Sequence, residues 1–366
     1  KIISGNENVL IARLEDAMFF YKNDINQDLN EFVKKLSGVV FQKNAGTMHD
    51  KQNRIFSILS YLKMSKVVDI DDVVLEKISK LCKMDLVSSM VLEFPSLQGK
   101  MGAVYAKLAG EDVIVYDAIY EHYLPAGKFS KMPKSITGVV LGIADRLDTV
   151  IESFKIGVNP TGSQDPLGLR RAVIGVCELI LDNRLSINLY DCINFCLDQK
   201  KKDENLVQKL FDFFYLRIKT IFIEKGIDYD VVDALKNKVF LDLNNALCFA
   251  GELQSYKKVN TEKLKLISET AVRISRLSKK ASDNDVDCEL FKEDVEKKLF
   301  DEYLQFQKIK LLSLDDYYSF SLSFNDYFND ILVMSEDINL QTNRLAFLKK
   351  CDSFYTKLAD FEKLII

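Results

Sequence analysis

The chain has 366 residues, of which 48% are hydrophobic and 28% charged, and its formal net charge is −4 at pH 7. These proportions exclude a chain that is disordered over most of its length, and the length predicts two or three domains. The slight negative charge excludes a surface that is basic throughout, so any binding of nucleic acid must depend on local basic faces.

Along the chain, apolar residues recur at steps of three and four, which predicts an all-α fold without a sheet of consequence. The first helix is predicted to begin after an N-cap at Gly5-Asn6-Glu7 and to continue through Tyr21. Further helices are predicted over residues 53–62, 73–92, 135–154 and 167–181.

Polar and proline-rich breaks separate these helices. The strongest break covers residues 157–166, because Asn159-Pro160 and Asp165-Pro166 disfavour helix at the residue before each proline. Polar runs at 199–204 and 282–285 mark later turns. With boundaries near Asp182 and Lys257, the predicted segments are 1–181, 182–256 and 257–366.

The cysteines predict neither a disulfide framework nor a zinc site, since they are odd in number and none form a C-x-x-C pair. We expect reduced core thiols in a cytoplasmic protein. No apolar run is long enough to span a bilayer, so no membrane partner is expected. The start, Lys1-Ile2-Ile3-Ser4, has no initiator Met or signal-peptide pattern, and we expect a longer protein to have been cut here.

Several blocks of the sequence stand out. They are GNE at residues 5–7 with ARLEDA at 12–17, EFPSLQG at 93–99, EHYLP at 121–125, ADRLDT at 144–149 and PTGSQDPLGLRR at 160–171. The ending from Asn343 to Phe361 belongs with them. Together these blocks resemble the β subunit of bacterial heterotetrameric glycyl-tRNA synthetase, and the resemblance covers essentially the whole chain, as the C-terminal half of the subunit.

This resemblance implies an HD-like helical domain over 1–181, a helical connector over 182–256 and a DALR-type anticodon-binding bundle over 257–366. It implies a subunit that binds tRNA-Gly and positions it for ATP-dependent glycylation by the α subunit, within an α2β2 heterotetramer. The chain alone is then expected to be inactive. ATP and magnesium belong to the holoenzyme, and no cofactor is expected in this chain.

The resemblance also implies a degenerate phosphohydrolase site in the HD-like domain. HD phosphohydrolases need two His and two Asp around a metal that lowers the pKa of a bound water. The matching positions are Lys51, Met84, Asp85 and Asp145. Because Lys and Met replace the two imidazoles, we expect no metal and a scaffold role for the two aspartates, which would pair with Lys83, Lys51 or Arg146.

Two histidines leave a metal site open as the less favoured interpretation. His49-Asp50 is literally an HD dipeptide, but it follows Gly46-Thr47 in a turn region and favours a surface or capping role. His122, in the EHYLP block, is the only other histidine.

Basic side chains at helical spacing predict RNA contacts. On the helix that starts near Thr261, Arg273, Arg276 and Lys280 project at i, i+3 and i+7, away from a buried stripe. Such a row can neutralise phosphates, and an ordinary solvated helix face is the alternative. The stripe consists of Leu264, Ile267, Ala271 and Ile274.

Two polar residues of the last helix complete the predicted RNA-binding set. Arg344 occupies a position on an apolar stripe, so it must pair with a carboxylate such as Asp337 or line a groove that contacts RNA. Asn343 beside it would read a base edge or cap a turn. The aromatic residues at 317–320 are expected in the core. The apolar stripe consists of Leu340, Phe347, Cys351, Phe354 and Leu358.

Two functions of other classes stay open beside this one. The first is a metal-dependent HD-type nucleotide phosphohydrolase or regulatory protein, which tight stoichiometric metal would favour. The second is a helical scaffold that only docks the α subunit. A metal-free chain that binds tRNA would favour the tRNA-binding subunit.

Overall fold

The computed structural model describes residues 2–127, 130–160, 165, 167–197, 203–281, 285–309 and 312–366. Helices account for 72% of the structure, and over these residues there is no strand beyond one isolated bridge between Val40 and Thr47. The predicted all-α fold is confirmed. No helix in this part of the chain has both the length and the apolar character needed to cross a bilayer.

The helices follow one another with short turns between them. They are α1 (Ile2–Asp24), α2 (Leu29–Lys35), α3 (Met48–Met64), α4 (Asp72–Leu81), α5 (Ser89–Glu93), α6 (Lys100–Leu108), α7 (Val113–Glu121), α8 (Ile136–Lys155), α9 (Leu169–Asp182), α10 (Leu189–Cys196), α11 (Glu204–Glu224), α12 (Tyr229–Ala234), α13 (Leu243–Val259), α14 (Thr261–Ser278), α15 (Asp294–Phe306), α16 (Leu314–Asp330) and α17 (Ile338–Leu358).

The chain forms two compact units. The N-terminal unit consists of residues 1–218 and 240–244, and the C-terminal unit consists of residues 219–239 and 245–366. The assignment of segments 1–181, 182–256 and 257–366 to three domain families stays a prediction.

Helix α8 is the centre of the N-terminal unit. Its first turn is capped by the Ser135 hydroxyl, which accepts a hydrogen bond from the Gly138 N–H, and it packs against α3, α7 and α9. Gly142 lets the chain approach closely, because a Cβ there would lie 3.1 Å from the His122 carbonyl oxygen. Helix α8 therefore brings Asp145 and Asp148 into the interior. The apolar residues it buries include Val139, Val140, Leu141, Ile143, Leu147 and Ile151.

The predicted helix over 73–92 is wrong in its second half. Helix α4 ends at Leu81, a 3-10 turn follows over Met84–Val87, and α5 begins only at Ser89. The break has a local cause, since the Ser88 hydroxyl caps α5 by accepting a hydrogen bond from the Val91 N–H. Similarly, α1 begins at Ile2 instead of after the predicted cap at residues 5–7.

An aromatic core organises the C-terminal unit, where α14 packs against α16 and α17. The buried stripe predicted for α14 is confirmed in full, and Tyr317 and Phe320 lie in the core as expected. The fully buried rings of this core include Phe320, Phe324, Tyr327, Phe347 and Tyr355.

The cysteine prediction is only partly right. All the thiols are free, but Cys248 and Cys288 are exposed and Cys196 is half-buried, so core packing does not account for these three. Four thiols are buried: Cys82, Cys177, Cys192 and Cys351.

Candidate functional site

Two of the four positions matched to a degenerate HD site, Lys51 and Asp145, come together in the N-terminal unit. Lys51 lies on α3 and Asp145 on α8, and the Lys51 ammonium is 2.9 Å from an Asp145 carboxylate oxygen. The same ammonium is 3.0 Å from an Asp148 carboxylate oxygen and donates to the Thr149 hydroxyl at 2.8 Å. Lys51 is buried, so its charge is compensated entirely by these neighbours.

A second lysine approaches Asp145 from the other side. The Lys83 ammonium lies 2.8 Å from the second Asp145 carboxylate oxygen and 2.9 Å from Nε2 of His122. The other ring nitrogen of His122, Nδ1, is 2.7 Å from the Ile119 carbonyl oxygen. Nδ1 must therefore carry the proton and donate it, while Nε2 accepts from Lys83, which makes His122 neutral.

The pKa values follow from this arrangement. Burial lowers the pKa of His122 well below its usual value of 6.5, and the positive charge of Lys83 lowers it further. Burial by itself raises the pKa of Asp145, but the ammonium groups of Lys51 and Lys83 hold that pKa well below its usual range. Asp145 is thus an ionised carboxylate that lies between two lysine ammonium groups.

Asp85 has a different role from Asp145. One of its carboxylate oxygens accepts hydrogen bonds from the N–H groups of Gly99 and Gly102, at 2.6 Å and 3.0 Å. Burial raises its pKa despite these donors. A Cβ at Gly102 would lie 3.1 Å from the Asp85 carboxyl carbon, so this position needs glycine. Through these hydrogen bonds Asp85 holds the end of the EFPSLQG block against the core. The adjacent Met84 is fully buried.

We expect this cluster to bind no stoichiometric catalytic metal, because the Asp145 carboxylate is already neutralised by Lys51 and Lys83 and the two expected imidazole positions hold Lys51 and Met84. Among the described residues, no three or more His, Cys, Asp or Glu side chains are grouped so as to hold a metal ion. Metal analysis of the purified chain and an assay on nucleotide phosphates test the expectation. Stoichiometric Mn, Fe or Zn, with turnover abolished in Asp85→Ala, would contradict it.

The stability of the N-terminal unit should fall as the pH drops below about 6.5. The unfolded chain protonates His122 near that pH, whereas the folded chain, whose His122 pKa is lowered, does not. The free energy of unfolding then falls by up to about 1.4 kcal/mol for each unit of pH, until the pH reaches the pKa of His122 in the folded chain. The Asp145 contribution is also lost on acidification, but only below that residue's unfolded pKa of 3.8.

Urea unfolding between about pH 7 and pH 5 measures this slope. His122→Gln, which cannot titrate, should flatten it. His49 is the matched control, since it is exposed in the first turn of α3, next to the capping Asp50. A slope that is unchanged in His122→Gln, or that is lost equally in His49→Gln, would show that the buried imidazole is not its source.

In the C-terminal unit, Arg273 and Arg276 lie together on one groove beside α14. The groove has a volume of about 710 Å³. The Arg273 guanidinium lies 4.0 Å from the centre of the Phe328 ring. The opposite wall consists of Ile331, Leu332, Val333 and Met334, which follow α16. Both arginine side chains are exposed, and Ser268 and Glu269 also line the groove.

Lys280 is not on the predicted helical row, because α14 ends at Ser278 and Lys280 lies in the turn beyond it. Its side chain is exposed, and it is not part of the groove lining. An RNA contact by Lys280 stays a prediction.

Asn343 and Arg344 are both buried on α17. The Asn343 amide exchanges two hydrogen bonds with the backbone of Asp287, accepting from its N–H and donating to its carbonyl, each at 2.8 Å. Arg344 Nε lies 2.6 Å from a carboxylate oxygen of Glu296, which is 0% exposed. Arg344 Nη1 also donates to the Leu332 carbonyl at 2.9 Å. This is the geometry of a structural ion pair, with Glu296 as the partner instead of Asp337.

The sequence does not identify three residues that contact the predicted site residues: Glu296, Phe328 and Leu332. Glu296 precedes Arg344 by 48 residues, and its second carboxylate oxygen accepts from the N–H groups at the start of α15, which makes it resemble an ordinary helix cap in sequence. Phe328 and Leu332 fit any apolar pattern. The one available signal was Arg344 itself, since a charge on an apolar stripe requires a buried partner.

Comparison with known proteins places this chain in a family. A family model described as glycyl-tRNA synthetase beta subunit matches residues 1–237. The glycine–tRNA ligase beta subunit of Clostridioides difficile (strain 630) is 37% identical over 380 aligned positions, which cover 99% of this chain and 54% of that protein. The glycine–tRNA ligase beta subunit of Bacillus subtilis (strain 168) is 36% identical over 376 aligned positions, which cover 100% of this chain and 54% of that protein. The chain spans about half the length of these curated relatives. The chain belongs to the glycyl-tRNA synthetase beta subunit family.

Proposed function

We propose that this chain is the tRNA-binding part of a glycine–tRNA ligase β subunit, where it positions tRNA-Gly for ATP-dependent glycylation by an α subunit. The observation that carries the proposal is the groove beside α14, in which two exposed arginines lie beside the apolar side chains that follow α16. The family membership supports it, because the relatives are named as subunits of glycine–tRNA ligase.

The groove has the chemistry that a single-stranded RNA loop requires. Unstacked bases bind on aromatic or apolar surfaces, and guanidinium groups pair with the phosphates between them or stack on base faces. Here Arg273 lies over the Phe328 ring, and Leu332 on the opposite wall is 73% exposed. An anticodon loop supplies unstacked bases and closely spaced phosphates, so it fits this surface better than a helical stem does.

Arg344 and Asn343 act in this proposal as positioning residues. Arg344 donates to the carbonyl of Leu332, so the buried ion pair with Glu296 holds the apolar wall of the groove in place. Asn343 fixes the chain at Asp287 on the other side of α17. Neither side chain is exposed enough to touch RNA unless the unit rearranges.

The remaining parts of the proposal follow from the family resemblance. Segment 1–181 is the HD-like domain, with its metal positions replaced by the Lys51–Asp145–Lys83 cluster, 182–256 is a connector, and 257–366 is the anticodon-binding bundle. The chain works in the cytoplasm as part of an α2β2 heterotetramer. ATP, magnesium and the glycylation chemistry belong to the α subunit, and this chain alone does not aminoacylate.

Footprinting of tRNA-Gly by the chain, with and without an α subunit, tests this function. We expect protection of the anticodon loop by the chain alone, lost in Arg273→Glu/Arg276→Glu. Lys297→Glu/Lys298→Glu is the matched control, because both lysines are exposed on α15 and the change in net charge is the same. Protection that needs the α subunit, or that falls equally in the control variant, would count against the groove as the binding site.

A further inference from the structure

Most of the described side chains of helix α1 are exposed. Every side chain from residue 6 to residue 16 is exposed. The helix is held mainly at its C-terminal end, where the buried Asp24 carboxylate accepts hydrogen bonds from the N–H groups of Ser89 and Met90, both at 2.9 Å. Within this stretch Arg13 forms an ion pair of 2.9 Å with Glu93, and both side chains are solvent-accessible.

This free stretch is apolar on more than one side. Val9, Leu10 and Ile11 are all exposed large hydrophobic residues, and consecutive residues of a helix point about 100° apart, so these three alone span about 200° of the circumference. The side chains of Leu14 and Phe19 are also exposed, by 65% and 62%. Helices that are hydrophobic around most of their circumference are found buried, and an isolated helix of this length is marginal in water.

We propose that this apolar stretch of α1, residues 9–19, is a docking surface for another domain of the β subunit. That domain belongs to the part of the family's β subunit that this chain does not span. A single helix, such as α1 of a second copy, covers one side of its partner and would leave the other apolar residues in water. A larger concave surface covers several sides at once. The chain matches only 54% of its C. difficile and B. subtilis relatives, so the rest of each is large enough to form such a surface.

The proposal rests on the family membership and not on tRNA binding. The test uses the whole chain and, as a separate polypeptide, the part of the C. difficile relative that lies outside the match. Isothermal titration and sedimentation velocity measure the complex. We expect a one-to-one complex, weakened at least about 100-fold by Leu10→Glu/Leu14→Glu, since each buried leucine is worth at least about a factor of ten.

Met64→Glu/Val259→Glu is the matched control, because these two side chains are 81% and 80% exposed outside α1. It should bind like the wild type. Both variants should keep the wild-type melting temperature and the wild-type tRNA footprint, so a failure here is distinguishable from a failure of the proposed function.

Three results would overturn the proposal. The first is the absence of a complex, or equal weakening in the two variants. The second is a wild-type chain that dimerises by itself and becomes monomeric in Leu10→Glu/Leu14→Glu, which would make a second copy the occupant. The third is an α subunit that binds the wild-type chain and loses that binding in the same variant, while the remaining part of the β subunit does not bind.

Discussion

Replacing Arg344 by alanine is expected to destabilise the C-terminal unit by roughly 3–5 kcal/mol, because the change leaves a buried carboxylate without its cation. Glu296 is 0% exposed, and its distance to Arg344 Nε is 2.6 Å. The Leu332 carbonyl also loses the donor at 2.9 Å. Arg344→Lys should cost less, since it keeps the charge but not the planar donor geometry.

Denaturant unfolding of both variants, with Arg276→Ala as the control, measures the effect. Arg276 is exposed, so its alanine variant should stay within about 0.5 kcal/mol of the wild type. A loss below about 1 kcal/mol in Arg344→Ala, together with weaker preference for a tRNA-Gly anticodon, would make Arg344 a recognition residue. A large loss of stability with unchanged anticodon preference would confirm the structural role.

Lys51→Met is expected to destabilise the N-terminal unit by a similar amount, roughly 3–5 kcal/mol. The substitution keeps the length and apolar stem of the side chain but removes the ammonium that lies 2.9 Å from Asp145 and 3.0 Å from Asp148. Asp145 retains Lys83, so the loss should fall at the lower end of that range.

Lys63→Met is the matched control on the same helix. Its ammonium is 2.6 Å from Asp72, whose side chain is 79% exposed, and such an ion pair is worth at most about 1 kcal/mol. Equal melting temperatures for Lys51→Met and Lys63→Met would show that the buried cluster does not stabilise the unit. A Lys51→Met variant that gains stoichiometric divalent metal would show that the lysine occupies a cation position.

The spacing of apolar residues predicts those features of the fold that depend on local sequence. The all-α fold and the buried stripe of α14 follow from apolar spacing, and both are present. Periodicity does not show the break after Leu81, because the capping hydroxyl of Ser88 lies within a continuous apolar pattern. Spacing likewise places Lys280 on the helical row, although the helix ends at Ser278.

Pairings between distant residues were not accessible in this way. That Arg344 needs a partner was predicted, but the choice of Glu296 depends on how α15 packs against α17. For Asp145 the sequence offers Lys51, Lys83 and Arg146 as partners without a choice among them, and it does not predict the contact of His122 with Lys83. Charged residues inside a helical core show that a partner exists, whereas tertiary packing decides which one it is.

The salt dependence of tRNA-Gly binding tests the central proposal most directly. For a chain with a net charge of −4, affinity must come from a local basic face, and each phosphate contact contributes about 0.7–0.9 units to the slope of log affinity against log salt. Arg273→Glu/Arg276→Glu/Lys280→Glu should weaken binding and flatten that slope by about two units. Lys297→Glu/Lys298→Glu/Lys349→Glu, with the same charge change at exposed lysines, should leave the slope unchanged. A wild-type slope in the first variant, or the same flattening in both, would contradict tRNA binding by the groove beside α14.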